Sequence, residues 1–353
     1  MNLLDRYIGK TILMACLVVI LLITGLDTLF AFINEMDDVR DSYPLSTAIF
    51  YVLLTVPRRA IEFVPMSVMV GCLVGLGVLA NSSELTVMRA AGVSKYRILG
   101  SSMLPILLLI LIAGVISEFV TPKTQQLANA TRAEGLGFNK AVSSRDGIWH
   151  REGNWFLHIN AIKPNGTLIG VTVFEFDENR QMRKAGFARR VEYENDQWLL
   201  KQLQITHFEN DSTRVEKVNQ RVWPSTLDPE LLSVLSIDPN DMSMQGLYRY
   251  SRYIEQQGIR SATYMLAFWK KLLMPLSILG LVLVAISTIF GPLRSVTMGQ
   301  RVMVGIMIGM FFSILQDVLG PASTVYGFSP FTAAIAPILI CLAAGGWLLR
   351  RAG

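Results

Sequence analysis

The sequence predicts a six-span α-helical membrane protein with an inserted all-β domain of sandwich or jelly-roll type. Three observations carry this fold class. The 353-residue chain is 52% apolar and only 17% charged, where soluble domains are about one quarter charged. Six stretches approach the roughly 20 apolar residues that a helix needs to cross the hydrocarbon core, and they are almost free of charge. Between the third and fourth stretches lies a polar block with strand-like alternation and turn residues. The mean hydropathy of +0.42 therefore averages two unlike populations. An apolar, weakly charged chain is not a disordered one. Its 27 glycines and 14 prolines are unperiodic, which excludes collagen-like and low-complexity chains.

The first span runs from Thr11 to Ile33 with Asp27 as its one charge. It is too long for a signal peptide and lacks a small-x-small cleavage site after it, so it is expected to stay as the first helix. The second span is longer. Thr47 to Pro57 is apolar, Arg58, Arg59 and Glu62 interrupt, and Phe63 to Ala80 resumes. One helix from Leu45 to Ala80 would be about 54 Å long at 1.5 Å per residue, so its first part should tilt or project outward. That puts the three charges near the outer face, as a cationic rim for an anionic headgroup or as snorkelling groups with an Arg–Glu pair. The third span, Ile98 to Pro122, carries only Glu118. Leu272 to Leu293 and Phe328 to Leu349 carry no charge, and Val302 to Gly327 carries only Asp317. The expected organisation is residues 1–122 as spans one to three, 123–266 as the soluble domain, and 267–353 as spans four to six.

Lysine and arginine in short loops orient such a chain. With the N-terminus inside, Arg6, Lys10, Arg89, Lys95, Arg97, Arg294, Arg301, Arg350 and Arg351 face the cytoplasm against Asp5 and Glu84 alone. The first outer loop holds Arg40 against Glu35, Asp37, Asp38 and Asp41. Both termini are then cytoplasmic and the soluble domain is exported, to the periplasm in a diderm host. Cys16, Cys72 and Cys341 all fall in spans, so the exported domain relies on its core rather than on disulfides.

Within the exported block, strand signals recur. Glu152-Gly153-Asn154 separates two short apolar runs as a hairpin would. Leu168–Phe176, Phe187–Tyr193, Gln197–Gln202, Leu203–Phe208 and Thr213–Val222 continue the series. Eighteen basic against seventeen acidic residues argue against a nucleic-acid surface. His150, His158 and His207 are the only histidines. Half-buried strand histidines explain them more simply than a zinc site, and no hydrolase or metalloprotease motif accompanies them.

Asp27, Glu118 and Asp317 lie near the outer ends of their spans, as interfacial anchors or as members of a proton relay. Gly71-x-x-x-Gly75-x-Gly77 and Gly305-x-x-x-Gly309 have the spacing that lets helices approach closely, within the chain or across an oligomer. The cytoplasmic stretch Asn81 to Gly92 reads as a short amphipathic helix near residues 82–91. Asn81 to Ser83 can cap it, Glu84 favours its first turn, Leu85, Met88 and Ala91 share a face, and Gly92 can end it. Such a helix is an interfacial element or a docking surface. No G-x-x-x-x-G-K-[ST] phosphate loop is present, so any ATP-driven work needs a partner.

These residues resemble the permeases of the lipopolysaccharide export (Lpt) transporter, specifically the G-type. The likeness covers the whole chain and is most specific at Leu4-Asp5-Arg6-Tyr7-Ile8-Gly9-Lys10-Thr11, at Ser83-Glu84-Leu85 with Val87-Met88, and at Phe290-Gly291-Pro292-Leu293-Arg294-Ser295 with Met298-Gly299. The resemblance implies a heterodimer with an F-type permease, each with six spans and a periplasmic β-jelly-roll domain. Two cytoplasmic ATPase subunits would dock beneath, and a single-span bitopic subunit with its own jelly roll would associate. The expected activity is extraction of lipopolysaccharide from the outer leaflet of the bacterial inner membrane toward the outer membrane. This subunit would be no enzyme and would hold no cofactor, since the partner binds ATP. Arg58, Arg59 and Arg132 are implied near the lipid's phosphates, and Phe63 in the apolar cavity. Glu84, Leu85, Met88 and Arg89 are implied in ATPase coupling. Some relatives carry a lysine where Ala31 stands here, which shifts the headgroup contacts toward the arginines or the partner subunit.

Two other functions are compatible with parts of the sequence. A mechanotransmission permease would move a periplasmic partner without passing lipid and would need no cationic rim. A membrane-anchored periplasmic enzyme would need a nucleophile–base or metal cluster within 123–266, where none is visible.

Overall fold

A computed structural model describes residues 3–136, 148–163, 166–177, 181–194, 197–208, 212–223, 238–256, 261–290 and 297–351. The helices before the sheet are α1 (Leu3–Met36), α2 (Leu45–Asn81), α3 (Glu84–Ala90), α4 (Lys95–Val115), a π turn (Ile116–Val120) and α5 (Thr121–Leu136). Six strands follow: β1 (Ile148–Glu152), β2 (Trp155–Ile162), β3 (Leu168–Phe176), β4 (Met182–Glu194), β5 (Gln197–Phe208) and β6 (Thr213–Trp223). The chain ends with α6 (Met244–Gln256), α7 (Ala262–Phe290), α8 (Met298–Tyr326) and α9 (Pro330–Arg351). Six helices among the described residues are long and apolar enough to cross a membrane, as the charge-free stretches predict. The second is continuous through Arg58 and Arg59. The third runs on through the π turn to Leu136, well beyond the apolar run: Pro122 falls in the first turn of Thr121–Leu136, where a proline is tolerated, and neither proline nor glycine follows until Gly135. The specific stretch Gly291–Ser295 lies outside the described residues.

Packing groups the chain into two compact units, one of Met1–Asp27, Pro57–Phe119 and Ser243–Gly353, the other of Thr28–Val56 and Val120–Met242. In the first, one apolar core joins α1, α2, α3, α4, α7, α8 and α9 through Ile8, Leu73, Leu85, Ile98, Ile286, Phe312 and Ile338 among others. The spaced glycines are used inside this chain. A Cβ at Gly71 would stand 2.5 Å from the Cys16 Cα, and one at Gly75 would stand 3.0 Å from the Ile12 Cα, so α1 crosses α2 backbone to backbone. Gly305 and Gly309 likewise admit Leu73 and Met66 of α2. Thr297 and Gln300 form a reciprocal capping box that starts α8.

The second unit contains the β domain. Its six strands pair antiparallel in sequential order, β1-β2-β3-β4-β5-β6. Inward residues alternate within each strand and then skip one place: Ile159 is followed by Ile162, Leu168 by Val171, Ala188 by Val191, and Leu200 by Leu203, all in one core. The skips line up. Register is unbroken on both sides, from Ile159↔Val171 to Ala161↔Ile169, from Val171↔Ala188 to Ile169↔Arg190, and from Ala188↔Leu203 to Arg190↔Lys201. One row therefore crosses the sheet through Asn160, Gly170, Arg189, Gln202 and Asn219. Gly170 (φ 63°) and Gln202 (φ 54°) on this row take the left-handed conformation, which reverses the pleat there. This slip keeps the apolar residues of the described strands on one face on both sides of the row, with Trp198 at 0% exposure. It also corrects the reading of Gln197–Gln202 and Leu203–Phe208 as two strands. They are one strand, β5, whose alternation breaks at Gln202 without a turn.

His158 is 2% exposed, lies under the Trp149 ring at 4.7 Å, and its Nδ1 has no protein hydrogen-bond partner. Burial lowers its pKa from 6.5, so the folded domain holds it neutral. The unfolded chain then binds the extra proton first as pH falls, and stability drops below about pH 6.5 until the folded ring also titrates. Hydrogen exchange of β2 should accelerate between neutral pH and pH 5, corrected for intrinsic rates. His158→Gln should remove that dependence.

The glycine crossing makes a second prediction. Gly71→Ala should lower the thermal midpoint in detergent, at a cost of about 1–3 kcal/mol for overpacking. Gly25→Ala, with nothing within 4 Å of its Cβ, should hold or raise it. Equal midpoints for the two variants would contradict the close crossing.

Candidate functional site

The short helix α3 joins α2 to α4. Its entry residue Ser83 is left-handed (φ 60°) and makes no side-chain cap. The Ser82 hydroxyl donates to the Glu84 Oε1 at 2.8 Å, a side-chain contact within the same turn. The exit is a Schellman turn, with Val93 N–H on Met88 O at 3.0 Å, Gly92 N–H on Arg89 O at 3.1 Å, and Gly92 at φ +87°. Leu85 is buried and Met88 packs beside it against the core of the first unit. Val87 is 65% exposed, and the Arg89 guanidinium lies 5.7 Å from the Phe290 ring centroid. The predicted face at Leu85 and Met88 is thus the seat of the helix, and its opposite side is open.

Arg301 sits in the first turn of α8. Sequence alone counts it among the cytoplasmic loop bases, yet it is 2% exposed. It donates to Gly77 O at 3.1 Å and to Asn81 Oδ1 at 3.4 Å. These acceptors are the last turn of α2, where a cation complements the helix dipole. Arg301 therefore binds α8 to the segment that enters α3. No spacing rule could find it, because the partners are more than 200 residues apart in sequence.

The charged interruption of α2 lies in the same unit. Arg59 does not pair with Glu62. It donates to Asp27 Oδ2 of α1 at 2.6 Å. Asp27 is thus the counter-ion of a cation one helix away. The other two acids near span ends also have separate roles. Glu118 in the π turn accepts from the backbone N–H of Met244 at 2.7 Å and caps α6. Asp317 lies 3.5 Å from Lys270. Arg59 and Phe63 are four residues apart and share a helix face; Arg58, Arg59 and Phe63 are all half-buried.

Arg132 belongs to the second unit and is described within it. On α5, its Nε donates to Glu35 Oε1 at 2.8 Å and its Nη2 to Asp38 Oδ2 at 2.7 Å. Its guanidinium lies 5.5 Å from the Tyr51 ring centroid. Tyr43, fully buried, donates its hydroxyl to Glu35 at 3.0 Å. Burial and the adjacent Glu35 carboxylate push that hydroxyl's pKa well up, so it stays a donor. The Tyr43 ring also fills the space where a Gly135 Cβ would stand, 2.2 Å from its Cδ2. The acidic first loop thus ties α1, α2 and α5 together around one cation. Sequence showed the acids and the arginine, but not that they meet.

Among the described residues no three His, Cys, Asp or Glu side chains converge as a metal-binding group. His207 lies 3.2 Å from Glu216, remote in sequence from His158.

Removal of one partner from the Arg132 cluster should rank by burial. Glu35→Gln, at a side chain 8% exposed, should destabilise by about 1–3 kcal/mol. Asp38→Asn, 26% exposed, should cost about 1 kcal/mol or less. Chemical denaturation of the two variants in detergent measures the order, and a larger loss for Asp38→Asn would refute it.

The geometry has close relatives in sequence. The family model described as lipopolysaccharide export system permease LptF/LptG matches residues 6–351. The chain is 35% identical over 356 residues to the lipopolysaccharide export system permease protein LptG of Escherichia coli (strain K12), covering 99% of this chain and 98% of that protein. It is 32% identical over 353 residues to the LptG of Haemophilus influenzae (strain ATCC 51907 / DSM 11121 / KW20 / Rd), covering 99% of both. With six membrane-spanning helices, an inserted antiparallel sheet and this match along its whole length, the chain belongs to the LptF/LptG family of lipopolysaccharide export permeases and is of the LptG type.

Proposed function

We propose that this chain is one permease subunit of an ATP-driven transporter that takes lipopolysaccharide from the outer leaflet of the inner membrane. An F-type permease completes the heterodimer, two cytoplasmic ATPase subunits dock at α3, and a single-span bitopic subunit joins the helices. Both termini are cytoplasmic and the β domain is periplasmic, where the lipid passes to a bridge of jelly rolls toward the outer membrane. This orientation follows from the loop arginines and lysines.

The observation that carries the reading is the seating of α3. Leu85 and Met88 anchor it in the core shared by the membrane helices, Arg89 lies against Phe290 of α7, and Arg301 ties the end of α2, which leads into α3, to α8. A push on such a helix moves the spans rather than a loop. Glu84 and Arg89 then engage the ATPase.

The lipid side rests on charge and apolar area. The outward faces of α1 and α8 expose Leu22, Leu26, Phe30, Met303, Met307 and Phe311, enough apolar surface for acyl chains or a partner helix. Arg59 stands one turn from Phe63 on α2, with Arg58 beside it, and guanidinium suits phosphate; Arg59 is held by Asp27 at 2.6 Å, so a phosphate there competes with one carboxylate. Arg132 is already held by Glu35 and Asp38, so a phosphate there must compete with two carboxylates. The mechanotransmission reading needs neither rim nor cavity, and the periplasmic-enzyme reading needs a catalytic cluster.

Glu84→Ala should reduce co-purification of the ATPase and lower transport by about tenfold, the effect of losing one interface hot spot, with the thermal midpoint unchanged. A photocrosslinker at Phe63 should capture lipopolysaccharide in the assembled transporter. Unaltered transport by the Glu84 variant would remove the coupling role, and a missing Phe63 adduct would favour mechanotransmission.

A further inference from the structure

The pleat slip has a second consequence, on the outer face of the β domain. Where the pleat slips, two consecutive residues on each strand point away from the core. Across β4, β5 and β6 these are Arg189 with Arg190, Lys201 with Gln202, and Asn219 with Gln220. With Ile169 and with Glu134 of α5, they line a groove of about 640 Å³, within the size range of small-ligand sites. Ile169 packs on Ala130 and Ala133, so α5 forms one wall of the groove.

The lining is chemically unlike the rest of the domain. Its charges nearly cancel overall, but here three cations face one acid. That acid is taken, because Glu134 accepts from Lys163 at 2.7 Å and lies 3.9 Å from Arg190. Lys201 is paired with Glu192 and Glu194, which leaves Arg189 and Arg190 as the groove's main cations. Three carboxamides stand among the cations. On the same row, the Asn160 amide nitrogen and oxygen are both buried without a protein partner, although buried amides are normally satisfied. Gln202 holds a left-handed backbone conformation that only a few per cent of non-glycine residues adopt. A non-glycine residue kept there marks a place where side-chain presentation outweighs backbone comfort.

We infer that this groove is a binding site for a phosphorylated glycan, with Arg189 and Arg190 taking phosphate and Gln202, Asn219 and Gln220 taking sugar hydroxyls. Guanidinium suits phosphate by its planar pair of donors. Carboxamides both donate and accept, as hydroxyls require. The inference rests on the permease reading above, which supplies a phosphorylated glycolipid as cargo. It places a glycan contact on the β-domain surface, apart from Arg58, Arg59 and Phe63.

The test uses the full chain assembled with its partners in nanodiscs. The probes are deacylated, phosphorylated lipopolysaccharide oligosaccharide, the same glycan after phosphatase treatment, and an acidic peptide of equal charge. The phosphorylated glycan should bind and slow amide exchange at residues 188–191, 200–203 and 218–221. Arg189→Gln combined with Arg190→Gln should weaken it about tenfold, as loss of charge-assisted bonds does. Both arginines are exposed, so the thermal midpoint should hold, and Asn219→Leu provides an independent block of the groove. Equal binding of the dephosphorylated glycan, or no protection along the row, would overturn the site. Tighter binding of the acidic peptide would assign the groove to a protein partner instead. If intact lipopolysaccharide still crosslinks at Phe63 while the row is unaffected by glycan, this site fails and the permease reading stands. If neither occurs, the permease reading fails too.

Discussion

A guanidinium taken out of water needs acceptors, and that constraint organises this protein more than any other single term. The cost of an isolated buried charge is several kcal/mol after relaxation, so the buried Arg301 and the half-buried Arg59 and Arg132 each recruit acceptors around them. Arg301 takes the terminal carbonyl region of α2. Arg59 takes Asp27. Arg132 takes Glu35 and Asp38, with Tyr43 completing the acid's shell. Each contact links one helix to another. Charges that would be liabilities in single spans become the fixed points between them.

Around those points the first unit closes by shape. Gly71 and Gly75 bring α1 against α2, and Gly305 and Gly309 bring α8 against α2. Helix α2 therefore receives α1 backbone to backbone and α8 through Leu73 and Met66, and it leads directly into α3. Burial of Leu85 on the adjoining core makes the short helix part of the same body. A displacement applied at α3 would pass into the packed helices, since dense interiors transmit displacement rather than absorb it.

The β domain meets a different demand. A single meander sheet has two faces and must bury one of them. The slip along Asn160, Gly170, Arg189, Gln202 and Asn219 keeps that face buried on both sides of the row, and it doubles the polar residues presented outside. Composition hides this, because eighteen bases and seventeen acids average to near neutrality while the row gathers Arg189, Arg190 and Lys201 in one place.

Much was legible in the sequence because it is written locally. A span is a run of about 20 residues with no charge to hydrate, and α3 declares itself by Glu84, the Leu85–Met88 face and Gly92 within nine residues. The likeness at Ser83-Glu84-Leu85 is also local, and the family followed from it. Strand alternation showed the inserted β domain and even marked Gln202, although the break there is a slip and not a turn. What only the tertiary structure decided is pairing. The partners of Asp27, Arg132 and Arg301, the helices that fill the glycine notches, and the alignment of the pleat slips into one row across the sheet all join residues far apart in the chain. Periodicity and composition describe what each segment must bury. They carry no information about which distant segment will cover it, because that choice is made by shape and by the balance of charge once all the helices and strands are brought together.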